Sequence, residues 1–171
     1  MDFPADQFDD KSNASFKFYR ELMSIKVREI LLVSSPYDAF IIEEDGSLAS
    51  RIINEYRGLN LSMPPRIIRT SSALEALDII RSHRIDIVMT MPHLDDMDAF
   101  TLGGEIKKLS PDLPVILPAH SVKGVYPFPE NKDCRDIDKV YVWTGNSDLL
   151  LALIKNVEDR LNVERDTQSL I

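Results

Sequence analysis

The chain has 171 residues, of which 44% are hydrophobic and 28% are charged, a composition that predicts a globular domain with a sizeable core. Its formal net charge of −8 argues against binding to nucleic acid or to an anionic membrane surface, because both need a basic face. The single cysteine, Cys134, excludes an internal disulfide framework and a multi-cysteine zinc site, so we expect a reducing, cytoplasmic location. We expect neither a signal peptide nor a membrane span, because the acidic N-terminus lacks an apolar region and no apolar run approaches ~20 residues.

The N-terminal part of the chain precedes the first strand pattern. Residues 1–13 are acidic and polar, and they predict a mobile arm. Residues 14–26 predict a helix with apolar side chains at helical spacing, namely Phe16, Tyr19, Leu22 and Met23. This apolar face must be covered by the sheet of the same chain or by a second copy, so a homodimer is one expectation.

From residue 27 the chain alternates between short apolar runs and helical patterns. The predicted strands are 30–33, 66–70, 85–91, 115–117 and 139–143. The helical patterns lie near 46–59, between Ser72 and His83, from Asp98 through Leu109, and from Asn146 or Ser147 through Leu161. Residues 164–171 are mixed in character and predict a tail or linker.

Local signals mark the helix ends. Ser72 followed by Glu75 has the spacing of a capping box, and Asp98 is a candidate N-cap. Gly103 and Gly104 lie inside the helix that Asp98 begins, where each costs up to ~1 kcal/mol relative to alanine. Close packing against a neighbouring element is one reason for a helix to keep them.

These elements predict an α/β domain over residues 27–163, with a single five-stranded parallel sheet, helices on both faces, and the extra N-terminal helix. A unit of this size favours the flavodoxin-like strand order 2-1-3-4-5. In such a sheet the ligand site lies beyond the carboxyl ends of the first and third strands.

The third strand and the loop after it carry a family resemblance. The strand begins Asp86-Ile87-Val88, and the loop ends Met97-Asp98-Ala99-Phe100. Together with Pro114-Val115-Ile116 and Tyr141, these residues resemble the receiver (CheY-like) domain of two-component response regulators over about residues 28–160. The resemblance implies the same fold and a place in signal transduction or a phosphorelay.

The residues that carry phosphoryl transfer in that family do not carry over. Receivers place two acids after the first strand, a phosphoacceptor aspartate after the third, a threonine or serine after the fourth and a lysine after the fifth. The resemblance puts at those positions Ser34 and Ser35, Met91, Ala119 and Trp143. Serine hydroxyls replace carboxylates poorly as Mg²⁺ ligands, and a thioether cannot become an acyl phosphate. The sequence therefore predicts a pseudo-receiver, a protein-interaction module with neither enzyme activity nor a cofactor.

A narrower resemblance suggests the context of the domain. The segments that carry it are 28–40, 43–46, 142–145 and 158–164. They look like the receiver-like domain at the N-terminus of large bacterial signalling proteins with a phosphoenolpyruvate-synthase or pyruvate-phosphate-dikinase-type region. This implies that the partner is another domain of such a protein, or a separate protein.

Two other functions stay open from the sequence. Asp95 and Asp96, or the acidic run 43–45, can act as displaced acids of a working phosphoacceptor receiver that uses Mg²⁺. Alternatively, the hydroxyl-rich loop Ser34-Ser35-Pro36-Tyr37 loosely resembles the phosphate loop of a flavodoxin-like cofactor binder, although it lacks the glycine of such loops.

Overall fold

The computed structural model describes residues 25–38, 40, 48–58, 63–119, 134–142 and 147–170. The predicted arm 1–13 and residues 14–24 of the predicted N-terminal helix lie outside these described residues. Among the residues that the structure describes, no helix has the length and apolar character needed to cross a membrane.

The centre of the fold is a five-stranded parallel sheet with the order β2-β1-β3-β4-β5. The strands are β1 (Glu29–Val33), β2 (Arg66–Thr70), β3 (Ile87–Thr90), β4 (Val115–Ala119) and β5 (Lys139–Val142). β1 pairs with both β2 and β3, with Leu31 opposite Ile68 on one side and Val88 on the other. The predicted fold class and strand order are confirmed.

Helices connect the strands, as the alternating pattern predicts. The helices are α1 (Leu48–Gly58), α2 (Ala73–Ser82), α3 (Ala99–Leu109) and α4 (Ser147–Ser169), and a short 3-10 helix spans Cys134–Asp136. Residues 36–38, directly after β1, are also helical. α4 continues to Ser169, so most of the segment predicted as a tail or linker is helical.

Side-chain caps begin α2 and α3 where the sequence predicts them. Ser72 is the N-cap of α2, and its hydroxyl accepts the N–H of Glu75. Asp98 is the N-cap of α3, where its carboxylate accepts the N–H groups of Phe100 and Thr101. Each cap satisfies donors that the first helical turn leaves without a partner.

The chain divides into two compact units, one of residues 27–157 and one of residues 1–26 with 158–171. The first unit contains the sheet and its core. One cluster of that core is built from strand residues, one face of α2 and α3, and the residue after the 3-10 helix: Leu31, Val33, Ala76, Leu77, Val88, Leu102, Ile106, Val115, Leu117 and Ile137. Burial of these side chains from water is the main force that holds the helices on the sheet.

Gly103 marks a close approach between α3 and the 3-10 helix. A Cβ atom built there would lie 2.9 Å from Cδ1 of Ile137 and 3.2 Å from the carbonyl oxygen of Asp136. A Cβ at Gly104 would lie 3.4 Å from Oδ2 of Asp136, which is ordinary contact. Close packing is therefore the reason for glycine at 103, and it does not require glycine at 104.

This difference predicts opposite effects for two neighbouring substitutions. We expect Gly103→Ala to lower the free energy of unfolding by about 1–3 kcal/mol, because the Asp136 backbone cannot move as easily as the Ile137 side chain. Gly104→Ala should raise it by up to ~1 kcal/mol through the higher helix propensity of alanine. Urea denaturation of both variants measures this, and stabilisation by Gly103→Ala would contradict the packing account.

Within the second unit, Asn162 on α4 holds the backbone of Ile25. Its Oδ1 accepts the Ile25 N–H at 2.7 Å, and its Nδ2 donates to the Ile25 carbonyl oxygen at 3.2 Å. The same Nδ2 donates to the Glu158 carbonyl oxygen at 2.8 Å. One amide thus fixes the chain just before the sheet unit to the distal part of α4.

We expect Asn162→Ala to loosen this part of the helix. The substitution removes hydrogen bonds that contribute about 1 kcal/mol each, so amide hydrogen exchange should accelerate over residues 162–169. Gln168→Ala, an exposed change on the same helix, is the control and should leave the exchange nearly unchanged. Equal exchange in both variants would show that Asn162 does not hold the helix.

Candidate functional site

The positions that the sequence singled out lie where strands end, at the carboxyl edge of the sheet. Ser34 follows β1, Met91 follows β3 and Ala119 is the last residue of β4. The Met91 N–H donates to the carbonyl oxygen of Val33 at 2.9 Å, so the ends of β1 and β3 are joined directly. Trp143 lies outside the described residues.

The middle of this edge is closed to solvent. Met91 and Ala119 are each 1% exposed and Ser34 is 4% exposed. The Thr90 side chain is fully buried, and its hydroxyl donates to the Met91 carbonyl oxygen at 3.2 Å. Buried residues, with an apolar thioether at Met91 and a methyl group at Ala119, therefore stand at the edge where a ligand crevice is expected in this type of sheet.

Ser35 stabilises the helical turn that follows β1. Its hydroxyl accepts the N–H of Asp38 at 3.2 Å and donates to Asp38 Oδ2 at 3.0 Å. This reciprocal pair resembles a capping box and satisfies a donor of residues 36–38. Tyr37 in the same turn is largely exposed.

Asp96 is bound to the N-terminus of α2. Its Oδ1 accepts the Ala73 N–H at 3.0 Å, and its Oδ2 accepts the Leu74 N–H at 3.1 Å and the Ser72 hydroxyl at 2.9 Å. These bonds, the one from the Ala73 backbone first, lower the pKa of the Asp96 carboxyl below its usual value. The carboxylate thus acts as a second cap of α2, contributed by the loop after β3.

Asp95 is placed quite differently from its neighbour. Its side chain is exposed and makes no hydrogen bond or ion pair with any residue that the structure describes. Of the two candidate acids, Asp96 therefore binds a helix N-terminus and Asp95 faces solvent.

A small hydroxyl–carboxylate network between the end of β2 and the start of α2 was not predicted from the sequence. The Thr70 hydroxyl donates to the Glu75 carboxylate and accepts the Ser72 N–H at 3.2 Å. In the predicted capping box Glu75 would have accepted that N–H itself, but Thr70 is inserted between them. The hydroxyl at the end of β2 was the available signal, because strand ends adjoin the caps of the next helices.

The described part of the chain offers no evident metal centre. Within it, no three His, Cys, Asp or Glu side chains form a group that could hold a metal ion. The acidic run 43–45, proposed as another source of displaced acids, lies outside the described residues.

Comparisons with known proteins identify the fold. The chain is similar to the signal receiver domain of an HD domain-containing protein from Pseudomonas fluorescens Pf-5, with 22% identity, a TM-score of 0.60, and coverage of 83% of this chain and 94% of that one. A CheY-like receiver domain from Methanospirillum hungatei JF-1 gives 20% identity and a TM-score of 0.58, covering 81% and 99% of the two chains. The chain has the receiver fold.

A third similar structure is the receiver domain of a sensor histidine kinase from Pseudomonas aeruginosa PAO1, which holds a magnesium ion in its active-site cleft. Its identity is 15% and its TM-score 0.56, with coverage of 78% of this chain and 98% of that one. No protein-family model and no curated protein matches the chain.

Because only Asp96 of the acidic pair is hydrogen-bonded, the two residues form a matched test. We expect Asp96→Ala to lower the free energy of unfolding by about 1–2 kcal/mol, as the loss of a helix cap does. Asp95→Ala should stay within about 0.5 kcal/mol of the unchanged protein, as an exposed substitution does. Chemical denaturation at neutral pH measures both.

The lowered pKa gives this test a pH dependence. The stabilisation from Asp96 is present above the unfolded-state pKa of about 3.9 and is lost as the pH falls through the lower folded-state pKa. The difference in stability between the unchanged protein and Asp96→Ala should therefore shrink on acidification. A difference that grows at low pH would contradict the assignment.

Proposed function

We propose that this receiver fold is a regulatory interaction module that has lost the phosphoacceptor site and works without aspartyl phosphorylation. The observation that carries the proposal is Met91. It is buried at the end of β3, with its N–H bonded to Val33, at the position that the family resemblance assigns to the acceptor.

The chemistry of the surrounding groups supports this proposal. Phosphoryl transfer needs an accessible carboxylate and positive charge that neutralises the transferred group. Ser34 is buried, and the Ser35 hydroxyl is bound to Asp38, so neither substitutes well for an acid that holds Mg²⁺. The similar sensor-kinase receiver, by contrast, is one that binds a magnesium ion in its cleft.

The displaced-acid alternative fits the same geometry poorly. Asp96 would have to give up its hydrogen bonds to Ala73, Leu74 and Ser72 before it could accept a phosphoryl group. A carboxylate with a lowered pKa is also a weaker nucleophile, because its lone pairs are already shared with donors. Asp95 is accessible, but no other described acid forms a metal-binding group with it.

The proposal includes a context for the module. We infer a cytoplasmic signalling protein, with the contact made to another domain, a partner protein or a second copy. The resemblance of segments 28–40 and 158–164 to large signalling proteins with a phosphoenolpyruvate-synthase-type region supports contact with another domain of the same protein. The contact region expected from receivers is the segment 119–137, β5 and α4, although residues 120–133 lie outside the described residues.

Amide chemical-shift mapping with Mg²⁺ and beryllofluoride, a mimic of the aspartyl phosphate, tests the loss of the site. We expect no saturable shifts at residues 34–38 or 91–98 at millimolar ligand, because no group of described acids at this edge is arranged to hold the complex. An active receiver domain in the same buffer serves as the positive control.

Saturable shifts in those two segments would contradict the proposal. The Asp95→Ala and Asp96→Ala variants then identify the acid responsible, because only the variant that lacks the acceptor would lose the shifts.

A further inference from the structure

The amino edge of the sheet, opposite to the site above, carries several exposed arginines. Arg28 directly precedes β1 and Arg66 is the first residue of β2, and the Arg66 N–H donates to the Arg28 carbonyl oxygen at 2.7 Å. Both side chains are exposed. The two guanidinium groups thus originate from directly hydrogen-bonded positions at one corner of the sheet.

Arg84 is held at the same corner by Asp86. Its Nε lies 3.6 Å from Asp86 Oδ1, and its side chain is 88% exposed. Asp86 Oδ2 accepts the N–H groups of Arg28 and Glu29 at 2.8 and 3.0 Å. Much of the Asp86 charge is therefore directed at backbone donors, which leaves the outer face of the Arg84 guanidinium available.

The topology adds a fourth arginine. α1 starts after β1 at the carboxyl edge and returns the chain to the start of β2, so Arg57 in its last turn lies at the amino edge. A cation in the last turn of a helix interacts favourably with the negative end of the helix dipole. This accounts for Arg57 but for none of the other three arginines. Glu29 and Asp86 are the acids that the β1–β3 pairing places among these arginines.

Three of these four arginines have no ion-pair partner among the described residues, although the chain is acidic overall. The protein has 28 acidic and 20 basic residues, and several described cations elsewhere are ion-paired, as in Lys107–Asp138 at 2.8 Å and Lys108–Glu105 at 2.8 Å. Arg28, Arg57 and Arg66 make no side-chain ion pair with any residue in the described ranges. Helix formation accounts for Arg57, but it does not account for Arg28 or Arg66 at the starts of β1 and β2.

We propose that Arg28, Arg57, Arg66 and Arg84, the arginine corner, are a docking surface for an acidic segment of a partner protein. Guanidinium groups bind carboxylates through paired hydrogen bonds, so several together favour a run of Asp or Glu side chains. A nucleic acid fits less well, because the net charge of −8 repels its phosphate backbone. The inference is independent of the phosphoacceptor site, which lies at the other edge of the sheet.

The test is a titration of the whole chain with a fluorescent oligoglutamate peptide, followed by anisotropy. Arg66→Glu is the test variant and Lys139→Glu is its matched control, because each replaces an exposed first residue of an edge strand with the same change in charge. The two positions are four strand spacings apart, about 19 Å. Circular dichroism checks the fold of each variant, and Arg84→Gln provides a milder second test of the corner.

We expect saturable binding that Arg66→Glu weakens by at least about tenfold and Lys139→Glu by less than about twofold. Added salt should weaken it further, since the contacts are exposed charges. Equal losses in the two variants would overturn the proposal, because bulk charge would then explain the binding. Absence of saturable binding to the unchanged protein would overturn it as well.

Two further measurements distinguish other occupants. Equal or tighter binding of a single-stranded oligonucleotide of matched charge would overturn the choice of a protein partner. Self-association in sedimentation experiments that Arg66→Glu abolishes would make a second copy the occupant and would also overturn it. The beryllofluoride experiment has no bearing on any of these outcomes, so the failure of either proposal can be recognised separately.

Discussion

The burial of β1 is the constraint on which the rest of the structure depends. Ile30 through Val33 are at most 1% exposed, and the strand is hydrogen-bonded to β2 on one side and β3 on the other. A strand in this position must be apolar on both faces and must have helices on both sides of the sheet. The position of β1 between β2 and β3 brings the carboxyl ends of these three strands together.

The central, buried position of β1 also determines which groups meet at the candidate site. Because β1 is central, its carboxyl end meets the ends of β2 and β3, where Ser34 bonds to Thr70 and Met91 bonds to Val33. A working receiver keeps charged groups hydrated at this point. Here apolar side chains extend the core to the edge, and burial of a carboxylate among them would carry a large desolvation cost. The proposed loss of the phosphoacceptor is thus physically consistent with the burial of Met91 and Ala119 at this edge.

Polar residues at the two edges of the sheet have different uses. At the carboxyl edge, the carboxylates of Asp96 and Asp98 accept N–H groups at the N-termini of α2 and α3, which are also the positive ends of the helix dipoles. At the amino edge, Asp86 and Asp138 accept backbone N–H groups at the starts of β1 and β4. These four acids are thus hydrogen-bonded to backbone N–H groups, whereas the arginines beside Asp86 are left exposed. This asymmetry, rather than total charge, distinguishes the surface near β2.

Local and periodic features were sufficient to predict the five strands and the caps at Ser72 and Asp98, because hydrophobic period and capping chemistry act over a few residues. The strand order was predicted only by matching the alternating pattern to the flavodoxin-like arrangement. From the sequence, close packing against an unidentified neighbour was the predicted reason for Gly103. The structure shows that the neighbours are Asp136 and Ile137. Sequence spacing treated Asp95 and Asp96 as equivalent. Only the tertiary structure separated them, because the partner of Asp96 is a helix end more than 20 residues away in the chain. The contact between Asn162 and Ile25, which are 137 positions apart, was likewise visible only in the tertiary structure, because no local pattern records such a contact.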